Sequence, residues 1–201
     1  MNDLRVIKTH LAIQNALIEL LDEKPFEKVQ VQEIIEKALI NRTTFYRYYS
    51  GKSDLVGKLI KEVKAEYQDL LKKRFESDDL LRFMQTIGNR LLEKRRLILA
   101  LWQIKTPRHH LYDDMHTLLK NAFIAHAKRI TSDDKNWADK NWADKNWAEK
   151  NWAEKNWDYQ AHIFATIALE SHKYYFEQGK LLPIPQVFEA WIEMVQVLKS
   201  V

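Results

Sequence analysis

The stretch Asn41-Arg-Thr-Thr-Phe-Tyr-Arg-Tyr-Tyr-Ser-Gly-Lys-Ser-Asp-Leu55 decides the reading of this chain. Asn41 is a good N-cap and predicts a short helix from Arg42 to about Tyr49. Phe45 and Tyr49, four apart, share a face and would pack inward, leaving Tyr46 and Tyr48 outward. On the outward side Arg42 and Arg47 can donate to guanine edges or phosphates, and the phenols of Tyr46 and Tyr48 can donate to phosphate. Thr43 and Thr44 are small enough to let such a helix approach closely. Between Ile40 and Lys52 stand three basic residues and no acid, a local charge of +3 in a nearly neutral chain. Ser50 to Asp54 then interrupts the helix and caps a long fourth one, roughly 53–75. Lys52 at its start would add an ammonium to the free N–H groups and positive dipole end of a helix N-terminus, a natural phosphate clamp.

Upstream, Val6, Ile7, Leu11, Ile13, Ala16, Leu17, Leu20 and Leu21 recur at helical spacing until Pro25 ends the pattern. Residues 29–38 form a second short helix with Val31, Ile34, Ile35 and Ala38 on one side. Two short helices joined by a tight turn, the second basic and aromatic, make a helix-turn-helix. A solvated face on an ordinary helical bundle is the bland alternative. It would win for Tyr46 or Lys52 alone, but not for the whole set in this order. The fourth helix would turn Leu55, Leu59, Val63, Tyr67, Leu70 and Leu71 inward.

Only four Gly and four Pro in 201 residues argue against a fold rich in hairpins, and the rest of the chain reads as helix too. Segments 79–93, 95–104, 109–129, 158–178 and 185–199 bring the expected all-α fold to about nine helices. Without a flexible linker, the boundary falls at the start of the long fourth helix: a DNA-binding head at 1–52 and a helical body at 53–201. The net charge of +4 (32 Lys+Arg against 28 Asp+Glu) decides nothing; the placement of charge does. Cysteine is absent, which excludes disulfides and Cys-ligated zinc. None of the seven histidines makes a convincing helical metal site with a carboxylate, so neither metal nor cofactor is predicted. There is no Gly-rich phosphate loop, Ser/His/Asp context or Cys nucleophile, so no catalytic residue is expected. With no charge-free apolar run near 18 residues and no signal peptide, the expectation is a cytoplasmic protein with no membrane partner.

Residues 134–157 repeat Asp/Glu-Lys-Asn-Trp-Ala in five copies, ending at Trp157. A five-residue period advances about 500° on an α-helix, so Trp137, Trp142, Trp147, Trp152 and Trp157 would point in widely different directions. On a strand an odd period alternates faces. The favoured reading is a repetitive insertion between helices, since surface connections accept added length cheaply. A Trp-rich assembly module is the competitor; only that reading requires deletion of 134–157 to change oligomeric state.

Residues 5 to about 59 resemble the TetR family of one-component regulators. The resemblance rests on Ala16 and Leu20, Val31 and Ile34, and the string from Asn41 to Leu55, whose Thr-Phe-Tyr-x-Tyr-Tyr-x-x-Lys-x-Asp-Leu core is highly specific. It implies a three-helix head followed by a helical ligand-binding and dimerisation body. By position it assigns base reading to Gln32, Arg42, Thr43 and Arg47, and phosphate contact to Thr44, Tyr46, Tyr48 and Lys52. It also implies a homodimer on a palindromic double-stranded DNA operator, and repression relieved by a small-molecule effector. The last two helices would pair with their partners through Phe164, Ala168, Tyr175, Trp191, Val195 and Leu198. Tyr67, Phe83, Trp102, Phe123 and His162, with His109, His110 and His116, are pocket candidates by position alone. One departure stands out: Leu39 occupies the turn position where the family usually has Gly, and a Leu held at positive φ costs roughly 1 kcal/mol. A relative that has lost operator binding and serves as a protein-binding co-regulator is the alternative function; it should have lost the contact residues, which are all present.

Overall fold

A computed structural model describes residues 4–76, 91–133 and 157–199. Among them every regular element is helical, as the scarcity of Gly and Pro predicts. Helix α1 (Leu4–Glu23) buries Ile13, Ala16, Leu17, Ile18, Leu20 and Leu21. A 3-10 turn, Phe26–Lys28, follows Pro25 and separates α1 from α2 (Val31–Lys37). The expected second helix is therefore shorter at its start, because Val29 stays extended after the turn. Glu33 anchors the N-terminus of α2: its carboxylate accepts from the Gln30 amide at 2.8 Å and pairs with Lys24. Lys24 first, and the Gln30 amide second, hold this carboxyl below its ordinary pKa.

The turn out of α2 is a Schellman motif closed without glycine. Leu39 N–H donates to Glu36 O at 3.1 Å, Ile40 N–H to Ile35 O at 3.2 Å, and Leu39 sits at φ 54°. The same pair of bonds ends a later helix, where the positive φ belongs to Gly179: its N–H reaches Phe176 O and that of Lys180 reaches Tyr175 O. A Cβ is costly in this region, and the Leu39 side chain, 92% exposed, buries nothing in return. Leu39→Gly is therefore expected to stabilise the protein by about 0.5–1 kcal/mol, the added unfolded-state entropy of Gly offsetting part of the gain. Thermal unfolding would show it as a rise of roughly 1–4 °C.

Helix α3 (Arg42–Tyr48) leads into α4 (Lys52–Glu76), 25 residues long. On α4, Leu55, Leu59, Val63, Tyr67, Leu70 and Leu71 are all buried, as their spacing predicts. Val56 and Ile60 are buried as well, because α4 has neighbours on more than one side. The body continues with α5 (Arg95–Trp102), α6 (Leu111–Asp133), α7 (Trp157–Glu177) and α8 (Ile184–Lys199). Helix α6 packs on α7 and α4, and α1 of the head packs on α5. A single hydrophobic cluster thus runs from Ile13 through Leu55 to Phe176. Most of the expected helix at 79–93, Phe83, and the repeat up to residue 156 lie outside the described residues.

Three histidines of the body are held below the ordinary value of 6.5, in each case chiefly by burial. Arg108 adds to the effect at His109, and Arg129 at His126. At His172 the bond from Nδ1–H to Ala168 O, 2.7 Å, opposes it. The fold therefore favours the neutral rings, while the unfolded chain takes up protons from about pH 6.5 downward. Stability should rise with pH through the window below 6.5. The expected result is a lower melting temperature at pH 5.5 than at 7.5, with a smaller difference in His172→Gln.

Candidate nucleic-acid interface

Helix α3 is held from both ends and from behind. Asn41 Oδ1 accepts from the Thr44 amide at 2.7 Å, which fixes the first turn. At the other end Lys58 Nζ donates to Tyr48 O at 2.7 Å and lies 5.1 Å from the centre of the Tyr49 ring. Behind, Phe45 is fully buried and Tyr49 nearly so. Asp54 Oδ2 accepts from the Ser50 amide at 2.9 Å, capping α4; that bond first, and Lys58 second, lower its pKa.

The opposite face carries the predicted reading groups. Arg42, Thr43, Tyr46 and Arg47 are exposed together on α3, with the Arg42 guanidinium 5.4 Å from the centre of the Tyr46 ring. Thr44, its amide used by Asn41, is half-buried. Gln32 is exposed on α2, its amide donating to Glu36 Oε1 at 2.8 Å. Tyr48, expected outward, is only half-exposed: its ring lies 4.6 Å from that of His10 on α1. His10 Nδ1 in turn shares a 2.7 Å hydrogen bond with the Tyr49 hydroxyl, whose pKa burial pushes up to about 12. His10 and Lys58 were absent from the sequence reading. His10 acquires its role only when α1 meets the end of α3, whereas Lys58 reaches back ten residues across the turn between α3 and α4.

Lys52 departs most from expectation. Its ammonium donates to Phe26 O at 2.9 Å, Glu27 O at 2.9 Å and Val29 O at 2.7 Å, and sits 4.8 Å from the centre of the Phe26 ring. All three protons are directed at the 3-10 turn rather than outward. A cation at the positive end of a helix is unfavourable by itself, and three carbonyl oxygens offset that.

In the body the predicted residues separate into groups. Tyr67 and Trp102 are packing residues of the core, 8% and 5% exposed; Trp102 Nε1–H points at Met115 Sδ at 3.3 Å. Phe123 is half-buried, stacked at 4.8 Å on Phe164 and 6.5 Å from Trp157. His162 is exposed, its ring 4.9 Å from His116. His110 faces Asp114 at 3.4 Å, whereas its neighbour His109 is buried. Phe164 and Ala168, expected at a partner, turn toward the chain's own core instead. The helical period puts Ala168 on the face of Ala161, Ala165, Leu169 and Phe176, which packs within the monomer. Tyr175 and Trp191 both line a groove between α7 and α8, together with Ile167, Tyr174, Val187 and Ala190. Beyond it Ile192, Met194 and Val197 are more than half exposed. Val195 and Leu198 lie on α8, their side chains outside the described set.

Residues 13–59 match the family described as "Bacterial regulatory proteins, tetR family". Over 70 residues, 34% of this chain, the sequence is 36% identical to the uncharacterized HTH-type transcriptional regulator YxbF of Bacillus subtilis (strain 168). Over 67 residues, 33% of the chain, it is 31% identical to a second such regulator of that organism, YvdT. The matched stretches span only 18% and 34% of those two proteins. The whole fold is similar to the crystal structure of a gamma-butyrolactone receptor (ArpA-like protein), with a TM-score of 0.56 and 14% identity, covering 99% of this chain and 100% of that one. It is also similar to a TetR transcriptional regulator from Streptococcus agalactiae 2603V, with a TM-score of 0.54 and 20% identity over 96% of each chain.

Proposed function

We propose that this chain, which belongs through its head to the TetR family of bacterial regulatory proteins, represses transcription by binding a palindromic operator as a homodimer. The observation that carries this reading is the outer face of α3, where Arg42, Thr43, Tyr46 and Arg47 stand exposed on a helix pinned by Phe45 and Tyr49. Arg47 and Arg42 read guanine edges, with Thr43 and Gln32 beside them; Thr44, Tyr46 and Tyr48 hold phosphates. We divide the chain at the start of α4 into this head and an effector-binding body.

The homodimer reading draws on α8. Its apolar residues Ile192, Met194 and Val197 are exposed and a groove lined by Tyr175 and Trp191 opens beside it, more apolar surface than a lone helix usually leaves to water. A second copy would cover both, and a two-fold dimer places two α3 helices on a near-palindrome. An effector in the body relieves repression if it binds better to the conformation whose heads are misaligned. Among the described residues no helix is long and apolar enough to cross a membrane.

The test is recovery of bound sequences from random duplex DNA, with Arg47→Ala in parallel. A recovered palindrome, and relaxation at one position in Arg47→Ala at a loss of about 1–3 kcal/mol, would support the reading. Weak binding, indifferent to sequence and unchanged by the substitution, would turn attention to a protein partner instead.

A further inference from the structure

Among the described residues His109 is the one buried polar or charged side chain, 6% exposed. It lies in the loop between α5 and α6, whose ends are fastened in the body by Ile104 and Leu111, 1% and 0% exposed. The loop holds itself rigid: Thr106 N–H donates to His109 O at 2.9 Å, and His109 N–H donates back to Thr106 O at 3.2 Å and to its Oγ1 at 3.0 Å. From this base the imidazole reaches the first turns of α4, where head and body join. Its Nε2 shares a 2.7 Å hydrogen bond with Ser53 Oγ, in the first turn of α4. Its ring meets Phe26 of the 3-10 turn edge-on, with centroids 6.3 Å apart. One turn beyond Ser53, Gly57 leaves the gap into which the ring fits: a Cβ there would stand 3.3 Å from His109 Cε1.

We propose that His109 is a positioning residue that pins the body loop into a slot formed by Ser53, Gly57 and Phe26, and thereby sets the angle of the DNA-reading head on the body. The inference rests on the regulator reading and extends it, naming where a movement of α5 or α6 enters the head. The path is short. The loop is continuous with both helices, its histidine touches the 3-10 turn, and Lys52 ties that turn by three carbonyls to the start of α4. A body movement that withdraws His109 frees the head from its bound angle. A head at the right angle for only a fraction of the time binds its operator weaker by that fraction.

The absence of cysteine allows a clean test. Cysteines at Asn15 of α1 and Asn121 of α6, both exposed, take spin labels, and dilution with unlabelled protein isolates the distance within one chain. The expected result is one narrow distance for the parent, a broadened or shifted one for His109→Ala, and recovery in His109→Gln, whose amide still reaches Ser53. Operator affinity should fall about tenfold in His109→Ala and recover in step with the distance. Gly57→Ala is the control for mere destabilisation. Alanine favours a helix, so melting should hold or rise, yet its methyl crowds the ring and should broaden the distance. An unchanged distance in both His109→Ala and Gly57→Ala would overturn the proposal. Broadening in both, with no sequence-specific DNA binding by the parent, would keep the pin and dismiss the regulator reading.

Discussion

Phe45→Ala is expected to lower stability by about 3–5 kcal/mol, the range for a buried aromatic cut back to a methyl. Phe45 has no exposed surface, and the head offers little that could collapse into the space. The Tyr49 ring lies 5.6 Å away and is itself tied to His10, while Tyr46 at 5.5 Å is committed to the outer face. Helix α3 has seven residues, too few to stand alone in water, so its shape depends on what it packs against. Removing Phe45 should therefore abolish operator binding even where the body stays folded. Thermal unfolding should move down by about 10 °C or more for a chain of this size. Phe45→Leu, which fills most of the space, should retain binding and lose much less. Equal DNA binding by Phe45→Ala and the parent would mean that α3 is not shaped by this anchor.

The contrast between Phe45 and Tyr48 shows how far local reasoning reaches. The four-residue spacing of Phe45 and Tyr49 and the cap at Asn41 are properties of a few consecutive residues, so the inner face of α3 could be read directly. The same reasoning turned Tyr48 outward, because the ring that half-covers it belongs to His10, 38 residues earlier. On α7 the apolar residues Phe164 and Ala168 were legible as buried. What they are buried against was not, because a helical stripe does not say whether its cover is the same chain or another. Leu39 is a different case: only the family resemblance marks its position as one usually held by Gly, and the backbone there takes a positive φ although the residue is Leu. His109 had no signature beyond being one histidine among seven, since its role comes from a loop meeting α4 more than fifty residues away in sequence.

Lys52→Met separates two roles that the sequence alone could not distinguish. Methionine keeps the apolar stem against Phe26 and removes only the ammonium. If Lys52 holds a phosphate, the loss appears on DNA: log affinity against log salt becomes shallower by about one contact, and melting is unchanged. The geometry favours the other outcome. Three charge-assisted bonds run from Nζ to Phe26 O, Glu27 O and Val29 O at 2.7–2.9 Å, and the ammonium faces the Phe26 ring. Two of those carbonyls are part-buried and would be left poorly solvated without it. We expect a loss of about 2–4 kcal/mol, less than the sum of three separate bonds because the Glu27 carbonyl is exposed and water replaces that partner. The salt slope should stay as in the parent. Operator affinity should still fall, since the 3-10 turn that Lys52 secures is the one against which His109 is docked, and a loosened turn no longer fixes the head. A shallower salt slope at unchanged melting temperature would show that the side chain leaves its carbonyls for the DNA backbone on binding.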